Sequence, residues 1–386
     1  MKIKYNGLAY GCRLNPNFSH LPTKSHHMMR FLCQTAVFLA TLQTFPVWAA
    51  PPAMPDQPGP LTLTTLEFPD LKDDKRGGRR VPIKVHLPQH QGKWPVVVLS
   101  HGGGGNWDAN FAQARHLGGY GYAVLCLEHI GSNTERMRKR LRFLENLREM
   151  TRDSSEVLGR PKDVSFALDM AEEWNRSHPT LKGRLDLEHI GVTGHSFGAY
   201  TTLVVCGARP ALDWLTPPVY PGKGLGPDLS DPRVSAGVAL SPQGPGEPFF
   251  LETSYAGINR PVLGITGSRD QQQGAPPENR RRFFELLSPG GKVFIWLANA
   301  DHLGFSDSTG WGQRSLPSKS RADAQPLVRA ATLLFFDATL RGDKEAEKAL
   351  SYDLLRPLLH GVVNDLAIQK KQTGRKMLLK HIRFLE

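Results

Sequence analysis

The sequence predicts an α/β fold, a mostly parallel central sheet of about eight strands with helices on both faces. Three observations carry it. Short apolar runs such as P-V-V-V-L-S (95–100) and Y-A-V-L-C-L (122–127) read as strands buried on both faces. Longer helical patterns separate those runs, the alternation of a parallel sheet covered on each side. No linker divides residues 60–350 and no internal repeat occurs, so one large domain holds the whole set.

Taken in order, residues 80–87 (R-V-P-I-K-V-H-L) alternate like an edge strand. The runs at 95–100 and 122–127 follow. I-G-V-T (190–193) leads straight into Gly194, and further strands are expected at 234–240, 261–266 and 293–297. Helices are expected at 161–174, 199–205, 278–287 and 327–340. Two segments interrupt the alternation: 133–153, strongly charged and helical in pattern, and 208–231, rich in Pro and Gly. Both follow expected strand ends, where ligands bind in open α/β sheets. The second reads equally well as a lid or pocket wall and as a surface excursion.

The net charge of +12 invites a nucleic-acid reading, which its distribution removes. Residues 1–49 hold five Lys/Arg and no acid, and residues 370–386 hold six Lys/Arg and one Glu. The stretch between keeps 37 basic against 35 acidic residues, without the basic excess a nucleic-acid-binding face requires. Arg30, the short apolar run from Phe31 and the small residues around Ala49 have the pattern of a secretory signal peptide cleaved after Ala49, with Met28 or Met29 as an alternative start. A Pro-rich linker spans 50–60. The basic tail has two readings, a solvated end and an amphipathic helix in weak contact with a membrane surface.

Gly194-His195-Ser196-Phe197-Gly198 is a Gly-x-Ser-x-Gly pentapeptide set between a buried strand and a helical run. That is the sharp strand–turn–helix that exposes a nucleophilic serine, and bulk at 194 or 198 would clash where strand meets helix. A serine hydroxyl needs a base. His195 is adjacent and directed away. His302, just past the last expected strand, is the candidate, with Asp270 past the preceding strand as its carboxylate partner. Asp301 is too close to His302 to orient its ring, and Asp307 is the alternative acid. The Gly-rich turn Ser100-His101-Gly102-Gly103-Gly104-Gly105 offers backbone N–H groups after a strand. Gly103 and Phe197 are the expected oxyanion donors. His101 and His129 read as structural from their setting. Cys126 and Cys206 either pair or stay as buried thiols.

These residues resemble the α/β-hydrolase superfamily, in its dienelactone-hydrolase-like and platelet-activating-factor-acetylhydrolase-like branch, over about residues 61–350. The resemblance rests on L-S-H-G-G-G-G-N (99–106), L-E-H-I-G-S-N (127–133), G-H-S-F-G-A-Y (194–200), A-L-S-P-Q-G-P-G (239–246), G-S-R-D (267–270) and A-D-H-L-G-F-S-D (300–307). It implies Ser196 as nucleophile, Asp270 as acid, His302 as base, Gly103 and Phe197 as oxyanion donors, and Glu128, His129, Gln243 and Phe249 near the pocket mouth. Dienelactone hydrolases use cysteine where this chain has Ser196. The expected protein is therefore a secreted or periplasmic serine hydrolase of small-acyl or lipid esters, needing no metal or cofactor. Its catalytic domain would span 61–360 and its basic tail 361–386. A peptidase or amidase of the same fold, and a catalytically silent binding protein, are the alternatives.

Overall fold

A computed structural model describes residues 55–139, 142–271, 274–307 and 318–371. The expected leader and the tail from 372 onward lie outside the described residues. Nine strands form one sheet: β1 (Leu63–Phe68), β2 (Ile83–Pro88), β3 (Trp94–Ser100), β4 (Ala123–Leu127), β5 (Leu185–His195), β6 (Val234–Leu240), β7 (Val262–Arg269), β8 (Lys292–Asp301) and β9 (Leu366–Lys371). They lie in the order β1-β2-β4-β3-β5-β6-β7-β8-β9. The strands from β4 through β8 pair in parallel, while β1, β2 and β9 run antiparallel to their neighbours. This is the α/β-hydrolase fold. The chain reverses its direction of travel across the sheet between β3 and β5, and a crevice at the C-terminal ends of strands opens at such a switch point.

The two-residue period of a strand explains the layers. In β3, Val96 and Val98 enter one apolar cluster and Val97 and Leu99 the other. The first cluster is covered by α5 (Gly159–Ser177), α6 (Phe197–Val205) and α7 (Glu278–Leu286). The second is covered by α1 (Phe111–Gly119) and α8 (Arg321–Leu340).

Two expectations are corrected. The strand expected at the sheet's edge, β2, is buried along its whole length between β1 and β4. Its polar residues misled the reading because their partners are distant in sequence: Lys84 meets Glu67 at 3.0 Å and Asp108 at 2.6 Å, and His86 meets Thr65 Oγ1 at 3.1 Å. The basic tail expected from 361 begins too early, since Leu366–Lys371 hydrogen-bond along β8 as the ninth strand. The charged segment 133–153 is helical as expected, in α2 (Thr134–Arg138) and α3 (Phe143–Met150), with α4 (Ser154–Val157) directly after it. Among the described residues, no helix is long and apolar enough to cross a membrane.

Candidate active site

Ser196 sits between β5 and α6 with φ 57° and ψ −116°, a backbone conformation that a non-glycine residue rarely adopts. The flanking glycines make the turn possible. A Cβ at Gly198 would stand 1.9 Å from the Ser100 carbonyl oxygen, and one at Gly194 would stand 2.5 Å from the same atom. The end of β3 is thus pressed against the elbow, and no side chain fits between them. The Ser196 N–H donates to Leu240 O at 3.0 Å, tying the turn to β6.

His302 follows β8 and opens a 3-10 turn, His302–Phe305. Asp301 caps that turn, accepting from the N–H groups of Leu303 and Gly304 at 3.0 Å each and from Ser318 Oγ at 2.7 Å. His302 Nε2 lies 3.0 Å from Ser196 Oγ. Its Nδ1 lies 2.8 Å from Asp270 Oδ1. The three loops that close this distance follow β5, β7 and β8, separated by up to 106 residues. Asp307 is elsewhere: its Oδ2 accepts the Ala112 N–H of α1 at 2.5 Å, which corrects it as an alternative acid. His195 donates from Nε2 to the His302 carbonyl at 2.8 Å, and burial lowers its pKa to about 3. It is a neutral strut beneath the neighbouring ring.

Asp270 is fully buried. Burial by itself would raise its pKa, but the charge of Arg280, followed by that of His302, outweighs it and holds the carboxyl well below the usual range. Arg280 Nε stands 2.9 Å from Asp270 Oδ1. The same guanidinium donates to the carbonyls of Asp270, Ser241, Pro242 and Gln271 at 2.9–3.0 Å. Thr266 Oγ1 donates to Asp270 Oδ2 at 2.8 Å, and Ser241, at φ 58°, brings its Oγ within 2.9 Å of His302 Nδ1. Sequence reasoning missed Arg280, Thr266 and Ser241 as parts of this site. Ser241 lies inside a motif that carries the family resemblance; the other two have no local signal.

The Gly102–Gly103 peptide lies beside the elbow. A Cβ at Gly102 would stand 3.6 Å from Ser196 Cβ, and one at Gly103 would meet Leu147 Cδ1 at 2.7 Å. The Phe197 N–H belongs to the first turn of α6, where backbone donors lack intrahelical partners. Of the four residues expected at the pocket mouth, Gln243 and Phe249 adjoin the elbow. Gln243 Nε2 donates to Ser196 O at 2.7 Å, and the Phe249 ring stacks on Phe197 with centroids 5.2 Å apart. Glu128 is partly exposed and accepts from Asn133 Nδ2 at 2.6 Å.

His129 is structural, as its setting indicated, and is corrected only as a pocket-mouth residue. It is fully buried, with Nδ1 2.8 Å from Asp163 Oδ2 and Nε2 2.9 Å from Ser100 Oγ. Asp163 is the reason: paired with Arg79 and Arg76, it draws the imidazole inward beneath β3. Cys126 and Cys206 are free and buried in apolar clusters on opposite faces of the sheet, which excludes a bond between them. Segment 208–231 is anchored at two points, Thr216 N–H donating to Arg152 O at 2.7 Å and Ala211 N–H to Phe249 O at 2.8 Å, while Tyr220 between them and the segment's end is exposed.

No protein-family model matches the chain. Over 266 residues it is 24% identical to the platelet-activating factor acetylhydrolase of the dog, Canis lupus familiaris. The match covers 60% of this chain and 53% of that protein, so it spans about half the relative's length.

Proposed function

We propose that this protein is a serine hydrolase of carboxylic esters, with Ser196 as nucleophile, His302 as base and Asp270 as its orienting acid. One observation carries the reading: His302 Nε2 lies 3.0 Å from Ser196 Oγ while Nδ1 holds a buried carboxylate at 2.8 Å. In this reading Ser196 Oγ attacks the ester carbonyl carbon and its proton passes to His302 Nε2. Collapse of the tetrahedral species expels the alcohol, which takes that proton. Water then attacks the acyl-enzyme, with His302 again accepting and returning a proton. The amides of Gly103 and Phe197 hold the oxyanion throughout. Gln243 and Phe249 would border the bound ester.

The distant likeness to an acetylhydrolase favours an ester over an amide. The serine at 196 separates the chain from cysteine-dependent dienelactone cleavage. Export is part of the proposal, with the 1–49 leader removed after Ala49, and N-terminal sequencing of the processed protein tests it. The activity is tested by hydrolysis of p-nitrophenyl esters from acetyl to palmitoyl, with Ser196→Ala alongside. Turnover abolished in the variant supports the assignment, and the chain-length profile separates a small-acyl from a lipid-ester enzyme. Turnover equal in both proteins at every length overturns it.

A further inference from the structure

We propose that Arg160 is a positioning residue for the oxyanion hole, locking the backbone segments of Gly103 and Phe197 into one rigid frame. The inference rests on the reading of Ser196 as nucleophile. Arg160, in the first turn of α5, is fully buried, and all its bonded partners belong to or brace those two segments.

Toward the helix, Arg160 Nε donates to Thr201 Oγ1 at 3.1 Å, and that hydroxyl donates to Phe197 O at 3.0 Å. The guanidinium carbon lies 4.3 Å from the centroid of the Phe197 ring. Toward the glycine turn, Nη2 donates to Ser100 Oγ at 3.1 Å and to the His101 carbonyl. Nη1 donates to Ser132 Oγ at 2.8 Å, and Ser132 O in turn accepts the Gly104 N–H at 2.8 Å.

The peptide between these anchors is the one that matters. His101 Nδ1 donates to Gly102 O at 2.6 Å, and His101 Nε2 accepts the His129 N–H at 3.0 Å, so a single neutral tautomer satisfies both contacts. In a trans peptide C=O and N–H point in opposite directions. Holding Gly102 O toward the His101 ring therefore turns the Gly103 N–H away from it. Arg160 fixes the His101 carbonyl on one flank of this peptide and, through Ser132, the Gly104 amide on the other.

Stability alone does not explain a guanidinium here. Burying such a charge is costly, and apolar replacements of buried ionic groups are often neutral or stabilising. Among the described residues no carboxylate lies within ion-pair distance of Arg160. Glu156 is reached through Ser132 Oγ at 2.7 Å, and Asp163 through Ser100 and His129. What a planar fork supplies, and an apolar side chain does not, is several simultaneous directional bonds.

The test uses the full chain with Arg160→Met and Arg160→Lys, rates being normalised to active serine titrated with a p-nitrophenyl phosphonate. Removing one oxyanion donor typically lowers kcat by about 10²–10³. A displaced frame in Arg160→Met is expected to lower per-site kcat by about 10², with KM changing less than about threefold, and Arg160→Lys to recover part of it. Affinity for an alkyl boronic acid, whose tetrahedral adduct places an oxygen in the oxyanion hole, should fall in parallel with kcat/KM. A structural role alone would lower the titre of active serine and leave per-site kcat and boronate affinity unchanged, which overturns the proposal. If neither variant folds, Thr201→Val cuts only the helix leg: a kcat lower by about tenfold supports the frame, and an unchanged kcat overturns it. Wild-type turnover no greater than Ser196→Ala would instead defeat the nucleophile assignment, and this proposal with it.

Discussion

Arg280 and Arg160 are both buried, at 3% and 0% exposure, and each braces one side of Ser196, yet they meet different partners. Arg280, on the side of Asp270 and His302, contacts the Asp270 carboxylate directly at 2.9 Å and gives its other donors to carbonyls of that loop and of the loop after β6. Arg160, on the side of the proposed oxyanion donors, contacts hydroxyls and a carbonyl, with its nearest acids one or two bonded groups away. The first arrangement stabilises a charge. The second sets a geometry. Burial lowers the Arg160 pKa to about 9, so it keeps its charge at neutral pH without a direct counter-ion. The same residue type, equally hidden from water, thus takes its role from what its fork reaches.

The comparison breaks first on the acid–base side. Replacing Asp270 with Asn should lower kcat by about 10⁴, because His302 loses the acceptor that sets its tautomer; steady-state ester hydrolysis reads this, and a loss under tenfold would remove Asp270 from the reading. Next comes stability. Arg280→Met leaves the Asp270 carboxylate buried without its cation, and breaking such a pair costs about 3–5 kcal/mol in urea unfolding. The sign of its pH dependence follows from the depressed Asp270 pKa. The stabilisation is complete above the unfolded value of about 3.9 and is lost as pH falls through the lower folded value. The gap between wild type and variant should therefore narrow as pH falls into the acid range. A gap that widens in acid would refute charge stabilisation by Arg280.

A smaller effect is expected at His195, whose ring supports the His302 carbonyl. His195→Gln keeps a donor there and should cost less than about tenfold in kcat, with the pH profile unmoved. Smallest is the thiol chemistry. Burial pushes Cys126 and Cys206 up to about 12, so neither should react with iodoacetamide in native protein, while both should react in urea. A pair that labels only after reduction would contradict the separated thiols.

Much of this arrangement was legible before the structure. Glycines at 194 and 198 announced a tight turn, and apolar runs bounded by Pro and Gly announced buried strands, because both signals lie within a few residues of what they describe. The order Ser196, Asp270, His302 was readable for the same reason: each residue marks the end of its own strand. The run Arg280-Arg281-Arg282 shows where such reading stops. Arg281 pairs with Glu285 and Arg282 with Glu252 near the surface, while Arg280 turns under Asp270. Three identical letters carry no mark of which one faces inward.

The pocket-mouth placement of His129, implied by the resemblance, failed in the same way, because its partner Asp163 lies 34 residues on. So did β2, whose polar residues looked solvated until β1 covered them. The sequence by itself determined the fold class, the elbow and the positions at which serine, acid and histidine leave their strands, since turn chemistry and apolar periodicity are local. Tertiary structure alone decided which buried cation serves which loop, because a guanidinium has no intrinsic address. Its place is set by the acceptors that distant segments bring within 3 Å or so of it, and those segments meet only when the sheet has assembled.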